Sequence, residues 1–242
     1  MKLDDVKKLH LKRYREELGY FLVEGEHLVL ELEKAAEKLT QWRGCELYVT
    51  QDYAHWQSRF PVQVISGSHM SQVADTKTPP GIVAVAPIPS ATSWRRGERA
   101  IYLCEIQDPG NLGTILRTLA WFGGFRCLLG PGSVDPWNPK VVRATAGAIF
   151  HVPIETEVAL ESLPARFPRL AVLDMQGETV RSPAFAEFDG YVFGNEARGV
   201  PREALEALGI RPFTIPGGGA IESLNVATAV NLSVYELNGG KR

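Results

Sequence analysis

The sequence predicts an α/β fold, the larger part of it a mostly parallel sheet with helices on both faces. Three observations carry this. Short apolar strands alternate with segments of helical spacing, the pattern of βαβ units. Glycine and proline mark the handovers between them. One stretch rich in Pro, Ser and charge divides the chain into a smaller and a larger part.

The elements follow in order. Residues 21–39 are expected as one helix, because Leu28, Leu32, Ala35, Ala36 and Leu39 recur at helical spacing with Glu and Lys between them. Residues 46–50 and 62–65 have the composition of short strands, and residues 81–86 that of a third, entered from Pro79-Pro80. These make a small α/β domain over residues 1–90. Residues 87–97 lack periodicity, so residues 91–98 are expected as a linker. Trp94 beside Arg95 and Arg96 suits a contact between domains more than a platform for stacked bases.

Strands are then expected at 100–106, 125–129, 170–173, 191–193 and 213–215, within a domain of residues 99–242. Helices are expected at 114–122, 139–146 and 201–208, the last with Pro201 in its first turn and Gly209 after its end. A closing helix is marked by Val226, Val230, Val234 and Leu237.

Bulk properties narrow the class. Hydrophobic residues are 45% and charged residues 22% of the 242, as in ordinary soluble domains. No apolar run approaches the ~20 residues that span a bilayer, so no membrane association is expected. The polar, acid-bearing start does not resemble a signal peptide. Cys45, Cys104 and Cys127 are odd in number and far apart, which fits neither a zinc site nor a disulfide framework and points to a reducing cytoplasm. The five histidines form no His-x-x-x-His pair, so no metal is expected. A net charge of −2 argues against non-specific coating of nucleic acid. It leaves room for a local basic face at Lys7, Lys8, Lys12, Arg13 and Arg15, residues that would equally serve as the solvated side of a helix.

Three constellations could carry chemistry. The first runs from Asp108 to Arg117, where a strand hands over to a helix at the carboxyl edge of a parallel sheet, the usual place for ligands in open α/β sheets. Asn111 could cap that helix or bond a ligand. The second is Gly194-Asn195-Glu196-Ala197-Arg198-Gly199, a glycine-flanked polar loop that places Glu196 near a helix N-terminus, where a carboxylate is favoured whether or not it has a function. The third is Ile215-Pro216-Gly217-Gly218-Gly219, followed by Ser223-Leu224-Asn225. Ser223 is placed to cap the closing helix. Asn225 then falls inside that helix, where Asn is mildly unfavourable. Neither the phosphate-loop pattern nor Gly-x-Gly-x-x-Gly is completed by these glycines or by Gly130 and Gly132, which disfavours nucleotide phosphates.

Taken together, Asn111-x-Gly113-x-x-x-Arg117, Gly194-x-Glu196-x-x-Gly199 and Ile215-Pro216 with Glu222-Ser223-Leu224-Asn225-Val226 resemble the SpoU (TrmH) family of RNA 2′-O-ribose methyltransferases in the SPOUT superfamily. Residues 138–148, 21–26 and 78–84 resemble it too, so the likeness runs along nearly the whole chain. Gly217 and Ala227 depart from the residues common in the family, Met and Ser. The resemblance implies an N-terminal RNA substrate-binding domain, a catalytic domain with a C-terminal trefoil knot, and a homodimer whose sites draw on both subunits. It implies S-adenosylmethionine held by backbone of Gly194, Ile215, Pro216 and Leu224. It also implies an active site of Asn111, Arg117, Glu196, Ser223 and Asn225. Ribosomal RNA is favoured over transfer RNA as substrate. The competing readings are an RNA-binding protein without catalysis, and a nucleotide-dependent oxidoreductase on a Rossmann-like sheet.

Overall fold

A computed structural model describes residues 1–90, 92–195, 198–220 and 223–239, with backbone alone at residue 202. The chain forms two compact units. The first comprises Met1–Ser90 and Asp135–His151, and the second Ala91–Val134 and Val152–Arg242. Residues 135–151, expected in the larger domain, thus group with the smaller unit.

The first unit opens with two short helices, α1 (Leu3–Lys8) and α2 (Lys12–Leu18), followed by strand β1 (Tyr20–Glu24) and helix α3 (Glu26–Lys38). Strands β2 (Glu46–Val49) and β3 (Val62–Val64), helix α4 (Gly67–Val73) and strand β4 (Ile82–Pro87) complete its sheet, in the order β1-β4-β2-β3. The expected single helix over 21–39 is therefore a strand followed by a helix. Gly25, at φ 95°, makes the break, a conformation open to glycine. Residues Phe21–Glu24 are all buried against the antiparallel partner β4. Helix α3 keeps the expected face, burying Leu28, Leu32, Ala35 and Ala36.

The basic cluster near the start is largely neutralised. Lys7 pairs with Asp4, Lys8 with Asp5 and Lys12 with Glu16. Arg15 is buried, donating to Asp135 and to the carbonyls of Leu9 and His10.

The second unit contains β5 (Arg99–Leu103), α5 (Pro109–Phe122) and β6 (Phe125–Leu129). The chain then passes through α6 (Pro139–Ala144), which packs on β1 in the first unit, and returns as β7 (Ile154–Glu155). It continues through α7 (Leu163–Arg166), β8 (Leu170–Thr179), β9 (Gly190–Phe193), α8 (Arg202–Ala207), β10 (Arg211–Thr214) and α9 (Val226–Asn238). The six strands form one sheet in the order β10-β8-β9-β5-β6-β7, and every pairing is parallel. Its core includes Tyr102, Leu128, Leu163, Val172 and Val192.

Topology positions the site. From β5 the chain moves outward to β6, and from β9 it moves the other way to β10. The neighbours β5 and β9 are therefore a switch point, and the crevice lies beyond their carboxyl ends. Two local features stand beside it. The pairing of β10 with β8 jumps from Pro212↔Val172 to Phe213↔Glu178. There Gly177, at φ 149°, runs so close to β10 that a Cβ would lie 2.5 Å from the carbonyl oxygen of Pro212.

Linker residues Thr92 to Glu98 dock on their own unit. Arg126, 1% exposed, donates to the carbonyls of Thr92 and Ser93 and pairs with Glu98 and Glu155 at 3.0 Å each. Its guanidinium lies 4.3 Å from the Trp94 ring, which meets Phe167 edge-on. The expected contact of Trp94 between domains is thus an anchor within one unit.

Candidate active site

Each constellation lies at the carboxyl end of a strand, in the loop there or the helix that follows it, and side chains join the three. Helix α5 begins at Pro109, five residues earlier than expected. Asp108 is its N-cap, accepting the amide of Asn111 at 2.7 Å, and Pro109 opens the helix with the fixed φ that position favours. Asn111 is therefore in the first turn and leaves the capping to Asp108. Arg117 lies further along the same helix, exposed, with no hydrogen bond or ion pair among the described residues.

Helix α9 also starts differently from expectation. Asn225 itself is its N-cap: Oδ1 accepts the amides of Ala227 at 2.9 Å and Thr228 at 3.2 Å. Ser223 lies two residues before the cap, exposed, and does not fill that role. This removes the difficulty of an Asn inside a helix. The amide of Asn225 is still free to donate, and Nδ2 bonds Oδ1 of Asn111 at 3.0 Å. One residue thus starts α9 and ties it to the first turn of α5. Further along, Thr118 donates to Asn231 at 2.7 Å, so the two helices run together.

The two described ends of the loop after β9 are tied together. Asn195 and Gly199 exchange backbone hydrogen bonds of 3.1 and 2.9 Å. A Cβ on Gly194 would lie 2.4 Å from the carbonyl carbon of Gly199, so only glycine fits. These ends meet the β5 loop: Asn195 Nδ2 donates to the carbonyl of Glu105 at 2.9 Å, and Arg198 pairs with the Glu105 carboxylate. Glu196 lies outside the described residues. Beside Glu105, burial first and then that carboxylate push the Cys104 thiol up, keeping it protonated at neutral pH.

After β10, Ile215 is half-buried, Pro216 to Ala220 are exposed, and Leu224 is 44% exposed. A Cβ on Gly217 or Gly218 would meet nothing within 4 Å. Their backbone is therefore open to solvent. Among the described residues no group of His, Cys, Asp and Glu is placed to hold a metal ion.

The structure thus joins Asn111 to Asn225, sets Arg117 on the same helix as Asn111, and places Gly194, Ile215, Pro216 and Leu224 in loops along one sheet edge. Sequence reasoning placed Asp108, Asn195 and Arg198 within its constellations without a role, and missed Glu105. The Asp-Pro pair opening a helix would have revealed the role of Asp108, whereas the backbone of Glu105 left no signal in its residue type.

Residues 98–235 match the model of the SpoU rRNA Methylase family, and residues 2–84 match an MRM3-like substrate binding domain. The chain belongs to the SpoU rRNA methylase family. It is 32% identical to the 23S rRNA (guanosine(2553)-2'-O)-methyltransferase RlmP of Bacillus subtilis, over 98% of this chain and 96% of that one. It is 28% identical to the mitochondrial rRNA methyltransferase 3 of Mus musculus, over 95% of this chain and 69% of that protein. Among solved structures, one assigned to the TrmH family of RNA methyltransferases, from Porphyromonas gingivalis, superposes with a TM-score of 0.82. It shares 30% identity and covers 97% of this chain and 96% of its own. An AdoMet-bound rRNA methyltransferase from Sinorhizobium meliloti shares the fold, with a TM-score of 0.81 at 23% identity, covering 99% of this chain and 95% of its own.

Proposed function

We propose that this protein transfers a methyl group from S-adenosylmethionine to a ribose 2′-oxygen of structured RNA, with ribosomal RNA as the substrate class. The observation that carries the reading is the junction of three segments at one sheet edge, through Asn225–Asn111 and Asn195–Glu105, beside the exposed Arg117. Family membership and the likeness to RlmP and rRNA methyltransferase 3 support the substrate.

The residues present fit the donor. Exposed backbone at Gly217 and Gly218 and the apolar face of Leu224 suit an adenosyl group, which Gly194, Ile215, Pro216 and Leu224 would hold mainly through backbone. When bound, S-adenosylmethionine supplies an electrophilic sulfonium methyl, and adenosylhomocysteine is the leaving group. The chain's own part is alignment, which lowers the barrier by holding the attacking oxygen in line. Arg117 would fix a phosphate and stabilise the alkoxide that develops as the hydroxyl passes its proton to solvent water, because a guanidinium does not act as a base in proteins. Asn111, Ser223 and Asn225 would orient Arg117 and the ribose, and Glu196 its loop.

In this reading residues 1–90 recognise the RNA by shape, 91–98 link, and 99–242 catalyse. The likeness to the TrmH-family structure supports a trefoil knot in the catalytic domain. A homodimer would cover the outward stripes of α5 and α9, where Trp121 is 82% and Tyr235 58% exposed. Three free thiols, two of them buried, fit a reducing cytoplasm.

The test is transfer of labelled methyl from S-adenosylmethionine to purified ribosomal RNA, with nucleoside digestion to locate the label. Label on a 2′-O-methylnucleoside is expected. Label on a base, or none on ribosomal RNA but some on transfer RNA, would overturn the assignment.

A further inference from the structure

We propose that Glu105 is a positioning residue, clasping Asn195 and Arg198 of the loop after β9 to the end of β5 and so fixing these residues beside the methyl donor. The inference rests on the donor reading above. It starts from the backbone. Glu105 has φ 51°, a left-handed conformation that residues with a Cβ rarely adopt and that persists where the surroundings impose it.

That conformation turns two groups of one residue toward one loop. The carbonyl accepts Asn195 Nδ2 at 2.9 Å, near the start of the loop, and the carboxylate pairs with Arg198, near its end. Besides the paired Asn195–Gly199 backbone bonds, Asn195 Oδ1 accepts the amide of Arg198 at 3.2 Å. Asn195 and Arg198 are thus both held by one residue. The anchor is itself fixed, since the next residue, Ile106, accepts the amide of Val134 at 2.7 Å. Glu105 also sits at the switch point, where the β5 and β9 loops diverge and a clasp between them spans the mouth of the crevice.

Two readouts test this in the full-length protein, one independent of the donor. Glu105→Gln removes the ion pair and keeps the carbonyl. An exposed pair of this kind corresponds to about a two- to fivefold effect. Without ligand, amide exchange across residues 194–200 should rise by about that factor, while α5 and α9 are unchanged. The dissociation constant for S-adenosylmethionine should rise by a similar factor, with kcat at saturating donor retained. Exchanging the charges, Glu105→Arg with Arg198→Glu, should restore both. Asn195→Ala, which loses the bond to the carbonyl, should loosen the loop in the same way. Unchanged exchange in both Glu105→Gln and Asn195→Ala overturns the clasp. Faster exchange with unchanged donor affinity overturns its positioning role. Failure of the unsubstituted protein to bind S-adenosylmethionine overturns the donor reading instead, while the exchange result still judges the clasp.

Discussion

Asn225 shows how much one side chain decides. Its oxygen starts α9 by accepting two amides, and its nitrogen bonds Asn111 on α5. A cap of this kind contributes about 1 kcal/mol. Asn225→Ala is therefore expected to lower both melting temperature and turnover. Asn225→Ser keeps an acceptor for capping but is too short to reach Asn111, so it should recover the stability and leave turnover low. Recovery of full turnover in the Ser variant would show that the bond to Asn111 is not used. Arg117 differs in kind, because it supports no described neighbour. Arg117→Ala should cost on the order of 10²–10³ in methyl transfer, as for removal of a charge-stabilising donor. Calorimetry should find donor binding nearly unchanged, and loss of that binding would contradict the assigned role.

At the scale of elements, the linker and the sheet depend on one buried cation. Arg126 holds Glu98, Glu155 and the Trp94 ring at the amino end of the sheet. Removing one partner of a buried pair strands the other charge, at a cost of about 3–5 kcal/mol. Arg126→Ala should therefore lower the melting temperature by many degrees, whereas Arg95→Ala, on an exposed neighbour, should scarcely move it. A small effect at Arg126 would mean that the carboxylates find water. The same scale shows what was legible. The strand-to-helix alternation of the second unit could be read because most of its apolar runs end at or within a few residues of Gly or Pro. The helix over 21–39 was misread because buried β1 and amphipathic α3 abut at Gly25, and the apolar residues of the strand fall in with the helical period. The basic cluster at the start could be read as charge, but its pairing with Asp4, Asp5 and Glu16 is a matter of rotamers.

The whole molecule makes two predictions. The exposed stripes of α5 and α9 expect a second copy, so sedimentation should give a dimer, and Trp121→Asp with Tyr235→Asp should give monomers. A monomeric unsubstituted protein would remove that part of the proposal. The second concerns alkaline pH. Burial pushes the thiols of Cys45 and Cys127 up to about 12 from an ordinary 9.0, and the Tyr191 phenol up to about 12 from 10.0. The unfolded chain releases these protons first, so the stability they support is complete below about pH 9 and is lost as pH rises toward 12. Melting temperature should therefore fall over pH 9–11, and less steeply in Cys127→Ala. Equal slopes in the two proteins would refute this origin.

By itself the sequence determined the α/β alternation, the glycine-bearing segments that follow the strands and the polar residues within them. Those follow from local periodicity and from glycine and proline, whose conformational limits act within a few residues. Only the tertiary structure decided that Asn225 bonds Asn111 across 114 positions, that Glu105 adopts a left-handed turn to hold Asn195 and Arg198, and that residues 135–151 join the first unit. The reason is physical. Such contacts depend on which strands stand side by side, and the order β10-β8-β9-β5-β6-β7 arises from the packing of the whole sheet, which no single segment encodes.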